Sequence, residues 1–170
     1  VGSEMCIRDS LLLRLNNMTG KVVGLHTSNG GVPKLPTELL VVTRDGCLGD
    51  KQNDRKHHGG LDKAVCIFQE EIIADLANNG HPISPGSTGE NVLISGIPIG
   101  DIKPGVSLKF PNVELTITQD APPCKTIKES FIGGQFNVIS HKKQPNFTRW
   151  YAKVTQAGTI YLDDSIETVN

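Results

Sequence analysis

The chain has 170 residues, 37% of them hydrophobic and 21% charged, with a formal net charge of −1. That length suits one domain with a continuous core. The near-zero charge gives no whole-molecule attraction to nucleic acid or to an anionic membrane, and no apolar run reaches the ~18 residues of a spanning helix. A soluble protein with neither kind of partner is expected, in which any anionic ligand is held by a local basic cluster.

The opening "VGSEMCIRDS" has no amphipathic period, and "LLLRLNN" is too short for a signal peptide and lacks a small-residue cleavage pattern after it. Residues 1–17 are therefore expected to be a non-native or disordered leader, with the domain running from Met18 to residue 170. Within that span Cys47, Cys66 and Cys124 are odd in number and have no paired spacing, which points to a reducing compartment and by default the cytoplasm.

From Met18 onward, short β-branched runs alternate with Gly, Pro and Asn. "KVVGLH" (21–26), "ELLVVT" (38–43) and "KAVCIF" (63–68) read as strands, the second ended by an Asp45-Gly46 turn. "QEEIIADLANNG" places Ile72, Ile73 and Leu76 at helical spacing, with Gly80 as its stop. After the loop "HPISPG" comes the strand "ENVLI". In "VSLKFPNVELTIT", Val106, Leu108, Phe110, Val113, Leu115 and Ile117 alternate across a Pro-Asn turn, as in a hairpin with one buried face. A short helix is expected from Cys124 toward Phe131, "FNVISHKK" fits neither period, and "RWYAKVTQAGTIYLDD" reads as two strand-like runs joined at residues 156–158. The expected fold is mainly β and barrel-like with two or three short helices, α+β by composition.

Three stretches carry chemistry. In "QDAPPCKTI", Pro122 and Pro123 stiffen the chain ahead of Cys124, and a helix starting at Lys125 would favour thiolate, a nucleophile and soft metal ligand. The alternative is a small buried hydrophobe, the ordinary fate of a free cysteine and the one expected of Cys47 and Cys66. "GCLGDKQNDRKHHGGLDKAV" (46–65) sets glycines among cations, as a phosphate cradle requires, and is equally readable as a solvated loop. A zinc site there fails on spacing, because His57 and His58 are adjacent and no Cys-x-x-Cys pair exists. "PGSTGEN" (85–91) lacks the lysine of a P-loop; it reads as a hydrogen-bonding edge for a polar heterocycle or as a plain turn.

Taken in order, "GCLGDKQND", "HHGGLDKAV", "GSTGEN", "GIPIGD", "PPCKTI" and "RWYAKVTQAGTI" resemble the MOSC domain, and the resemblance spans nearly all of residues 18–170. The stand-alone bacterial type is the nearest in organisation. The resemblance implies a molybdenum cofactor, with Cys124 as the family's characteristic cysteine, coordinating the metal or carrying a transferable sulfur. It also implies a small-molecule substrate, reduction of N-hydroxylated bases or related N-oxygenated compounds, and a separate electron-donor protein. The alternative is a sulfur carrier in which Cys124 holds a persulfide without redox turnover. The phosphate end of the pterin is assigned to His58, Gly59, Gly60 and Lys63, with Arg149 joining from the distal strand, and the pterin ring to Thr88 and Asn91. Oligomeric state is not legible. The chain differs from the family's pattern in two places. Asp120-Ala121 stand where an arginine precedes the cysteine, and Asp163-Asp164 replace a C-terminal Gly-Asp.

Overall fold

A computed structural model describes residues 19–51 and 60–170. The strands are β1 (Thr19–Thr27), β2 (Leu35–Pro36), β3 (Leu39–Thr43), β4 (Gly46–Cys47), β5 (Val65–Gln69), β6 (Val92–Ser95), β7 (Ser107–Lys109), β8 (Glu114–Ala121), β9 (Arg149–Gln156), β10 (Gly158–Tyr161) and β11 (Ser165–Val169). Among the described residues one α-helix, α1 (Glu70–Asn78), is joined by short 3-10 turns.

The strands run in the order β11-β7-β8-β9-β5-β6-β1, and β11 pairs again with β1, so seven strands close into a barrel. Closure leaves no long sheet edge free to pair with another chain. The fold is mainly β, as the sequence pattern leads one to expect. β5 and β6 are parallel. A parallel pair needs a crossover, and α1 with its following loop supplies it.

Alternation along the strands separates two environments. Val65 and Ile67 of β5, Leu115 and Ile117 of β8, and Trp150 and Ala152 of β9 point into the barrel, where they are all but fully buried with Val22, Val92, Ile94 and Ile166. Phe68 and Leu93 point outward from the same sheet and meet Ile72, Ile73 and Leu76 of α1, together with Ile127, Phe131 and Ile139 of the 3-10 segments. The helical period read from the sequence is this buried stripe of α1. Asn79 caps the helix, and Gly80 follows with φ 91°, the left-handed conformation a helix terminus favours.

The hairpin at residues 106–117 is present, with all six alternating residues buried in the barrel interior. The two runs joined at residues 156–158 are β9 and β10, and β10 pairs with β3 in a three-stranded sheet, β10-β3-β4, that shares the barrel's core through Leu40, Val42 and Ile160. β11 was not anticipated; Ile166 is its single large buried hydrophobe, too little for a period signal. The expected helix after Cys124 is a 3-10 turn over Lys125–Ser130, and "FNVI" forms another over Phe136–Ile139. The expected leader, residues 1–17, lies outside the described residues.

Candidate functional site

β9 enters the barrel with both faces covered. Trp150 and Ala152 fill the interior, while Arg149 and Tyr151 face outward and are nonetheless buried. Cross-strand register decides their neighbours. Cys66 lies opposite Tyr151, and Ala121 opposite Arg149. Cys66, Ala121 and Tyr151 form a small outer cluster separate from the barrel core.

Arg149 organises this face. Its Nη1 donates to the carbonyl of Thr88 at 2.5 Å, and its Nη2 to the carbonyls of Ala121 (3.4 Å) and Pro122 (3.3 Å). The guanidinium therefore ties the "GSTGEN" turn to the segment that leads into Cys124. It is 5% exposed, its partners among the described residues are neutral carbonyls, and its Nε–H has no acceptor there. Buried N–H groups are normally satisfied, so an orphaned one beside a cation marks a place where an anionic acceptor would fit.

Cys124 follows Ala121 by three residues and sits in extended backbone (φ −140°, ψ 174°) at the start of the 3-10 turn. It is half-buried, and its Sγ lies 2.8 Å from the Thr126 hydroxyl. Cys47 and Cys66 are buried. Burial pushes the Cys47 thiol up to about 12, with the Asp50 carboxylate adding to the rise. Burial also raises Cys66, against an opposing pull from Arg149. Neither is a ready nucleophile.

Behind this face lies a buried polar layer that the sequence did not reveal. Asp50 accepts from the Ser28 N–H (2.9 Å), from Lys34 Nζ (2.6 Å) and from Asn91 Nδ2 (2.9 Å). Asn91 Nδ2 also donates to the His26 carbonyl, while Oδ1 accepts the Cys66 N–H. Both donor hydrogens of Asn91 are thus engaged within the protein. Glu90 is fully buried, and its carboxylate accepts the Gly86 N–H at 2.5 Å and the Thr88 hydroxyl at 2.8 Å. Gly86 has φ 82°, and a Cβ there would run into the Lys34 carbonyl and the His26 ring. The turn is tied to the Cys124 side once more by the Ser130 hydroxyl, which donates to the Ser87 hydroxyl at 2.9 Å.

Among the described residues the buried charged side chains are Lys34 and Arg149 on one side and Asp50 and Glu90 on the other. His26 is held neutral: burial lowers its pKa from the usual 6.5, Lys34 adds to the fall, and Glu90 opposes it. Its Nδ1 has no partner.

The residues singled out in the sequence divide as follows. Arg149 bonds the carbonyl of Thr88 and that of Pro122, two residues before Cys124. Asn91 joins through Cys66, which faces Tyr151, and Lys63 Nζ lies 5.6 Å from the centre of the Tyr151 ring. Gly60 is exposed with φ 87° and opens the 3-10 turn Leu61–Lys63, held there by the Thr118 hydroxyl donating to the Asp62 carbonyl. His58 and Gly59 lie outside the described residues. No group of three or more His, Cys, Asp or Glu side chains able to hold a metal is present among the described residues. The residues that sequence reasoning passed over are His26, Lys34, Asp50 and Glu90. Asp50 and Glu90 stood inside the quoted motifs, whereas nothing local distinguishes Lys34.

A closed barrel with a buried polar layer behind a half-exposed thiol defines the class of molecule. A model of the MOSC domain matches residues 54–167, and the chain belongs to that family. It is 26% identical to YflK of Bacillus subtilis over 145 residues, covering 81% of this chain and 62% of YflK. Over 135 residues it is 22% identical to YiiM of Escherichia coli, covering 77% of this chain and 59% of YiiM. The chain thus spans roughly three-fifths of these curated relatives. Among solved structures, YuaD from Bacillus subtilis superposes with a TM-score of 0.68 at 22% identity, over 89% of this chain and 96% of that one. YiiM from Geobacillus stearothermophilus gives 0.69 at 20% identity, over 89% and 75%. These likenesses establish the fold.

Proposed function

We propose that this protein binds a molybdenum cofactor through Cys124 and reduces N-hydroxylated bases or related N-oxygenated compounds. The observation that carries the reading is the Arg149 guanidinium, buried, bonded to neutral carbonyls, short of one acceptor, and fixing the segment that presents the half-exposed Cys124 thiol. A cysteine sulfur two residues beyond a carbonyl held by a buried cation suits an anionic dithiolene complex of a metal that takes soft ligands. The arginine absent from Asp120-Ala121 has a counterpart here, since Arg149 binds the Ala121 and Pro122 carbonyls from the neighbouring strand.

In this reading Cys124 is the metal ligand. Lys63, Gly60, Gly59 and His58 form the phosphate cradle, and Thr88 and Asn91, both fully buried, hold the framework on the pterin's side of the site. When bound, the cofactor supplies the two-electron chemistry that cleaves the N–O bond; two protons and two electrons convert N–OH to N–H and water. The chain's part is to fix the thiol, exclude water behind Arg149 and hold the charged side chains of the polar layer.

The test is to produce the chain in a host that makes molybdopterin and measure molybdenum and pterin per chain beside Cys124→Ala and Arg149→Met variants. Wild type is expected to carry both, and Cys124→Ala to lose at least tenfold in metal. Metal content unchanged in Cys124→Ala removes the ligand role. Sulfane sulfur released from Cys124 by a mild reductant in metal-free protein supports the persulfide carrier instead.

A further inference from the structure

Five buried side-chain polar atoms lack a hydrogen-bond partner among the described residues. Two of them, on His26 and Arg149, belong to the polar layer. The other three are Gln69 Oε1, Thr148 Oγ1 and Trp150 Nε1, on residues that are all but fully buried and have no part in the site behind Cys124. Buried polar groups are rarely left unpaired, so three at one place in the fold point to a ligand.

Strand register sets them side by side at one end of the barrel. Ile67 of β5 lies opposite Trp150 of β9, and both side chains point inward. Gln69, two residues on, pairs with the inward-facing Ile94 of β6 and so takes the inner face, diagonal to Trp150. Carried on by two residues, the antiparallel register of β5 and β9 sets Gln69 against Thr148. The amide of Gln69 is oriented by its Nε2, which donates to the Ile97 carbonyl at 2.8 Å, so Oε1 is the atom left free. This end is covered. Ile97 and Ile102 belong to the buried core, and the His141 ring stands edge-on to Trp150 with 5.2 Å between centroids. His141 Nδ1 accepts the Asn146 N–H at 2.9 Å, and Asn146 Nδ2 lies 3.7 Å from where a Cβ on Gly100 would stand, which joins the two covering loops.

We infer that Gln69, Thr148 and Trp150 together bind one internal water molecule at this end of the barrel. The three groups define the ligand. An indole N–H can only donate and an amide oxygen can only accept, while the hydroxyl does either. A cation would face the N–H and an anion the amide oxygen, so the ligand is neutral and both donates and accepts. Water does so for all three, and about three is the usual number of bonds a buried water makes. Asp120, the half-buried cross-strand partner of Trp150 on β8, is the competing acceptor for the indole. Arg149 lies between Thr148 and Trp150 and faces outward, so the same water steadies the start of the strand that carries the guanidinium.

Trp150 is the chain's single tryptophan, so its indole N–H gives one resonance. In the wild-type chain that proton is expected to show a nuclear Overhauser cross-peak to water, with the sign of a bound molecule rather than of exchange. Thr148→Val, close in shape, is expected to weaken the cross-peak roughly twofold or more, and Gln69→Met with Thr148→Val to abolish it while the amide spectrum of β7 and β11 stays in place. A crystal structure of the wild type is expected to show one ordered water within about 2.7–3.2 Å of all three atoms. The assignment is overturned by the absence of a bound-water cross-peak in wild type, or by a cross-peak indifferent to both variants. It is equally overturned by a crystal structure in which the indole donates directly to Asp120, an ion stands in the water's place, or no water reaches all three groups.

Discussion

The barrel interior and the polar layer behind Cys124 are equally buried but built on opposite principles. In the interior, Val65, Ile67, Leu115, Ile117, Trp150 and Ala152 fit together by shape, and each contact is interchangeable with another of similar volume. In the polar layer, Lys34, Asp50, Glu90, Asn91 and Arg149 each hold a named partner at hydrogen-bond distance, and removing one leaves another buried without compensation. The interior makes the fold stable. The polar layer fixes where the Cys124 segment and the "GSTGEN" turn lie relative to one another.

The largest expected contrast comes from Asp50. Asp50→Ala strands Lys34 and one Asn91 donor in a dry site and is expected to cost about 3–5 kcal/mol in chemical denaturation, while Asp50→Leu with Lys34→Met recovers most of the loss. If the single and double variants are equally unstable, the pair is not what holds the layer. Ile117→Ala, an interior change, is expected to cost about 2–4 kcal/mol while leaving the reactivity of Cys124 toward iodoacetamide unaltered. A change in that reactivity would mean the interior and the site are not separable.

Gly86→Ala is smaller in overall effect and sharper in location. It puts a Cβ against the Lys34 carbonyl at φ 82° and is expected to cost about 1–3 kcal/mol, with the amide shifts of residues 84–91 moving more than those of β7. His26 gives the smallest effect. Because its folded pKa lies below 6.5, the unfolded chain binds the proton first, so stability is fully present above pH 6.5 and falls as pH drops through the window between 6.5 and the lowered value. His26→Gln is expected to flatten this slope in a Tm series from pH 7.5 to about 5; an unchanged slope places the titration elsewhere.

What could be read beforehand follows the same division. Residues 106–117 and 70–78 were legible because burial on one face imposes a period of two or of 3.6 on the residues themselves. β11 and the pairing of β10 with β3 were not, since β11 depends on β7 and β1 and β10 on β3, all partners far away in the chain. In the site, Cys124 stood out through Pro122 and Pro123, local features that survive in sequence. Lys34 and His26 had no such mark. A buried charge is recognisable only by its partner, and Lys34 finds Asp50 through a loop closure that no spacing rule describes. The expectation for Asn91 as a pterin donor also came from local chemistry alone; its amide hydrogens are taken by His26 and Asp50 once the chain folds.

Everything proposed for catalysis turns on whether the thiol of Cys124 contacts the metal. X-ray absorption at the molybdenum edge of the loaded protein, wild type beside Cys124→Ser, reads that contact without reference to turnover. The account predicts one sulfur neighbour fewer in the serine variant, replaced by a lighter ligand. Identical sulfur coordination in the two proteins would contradict it.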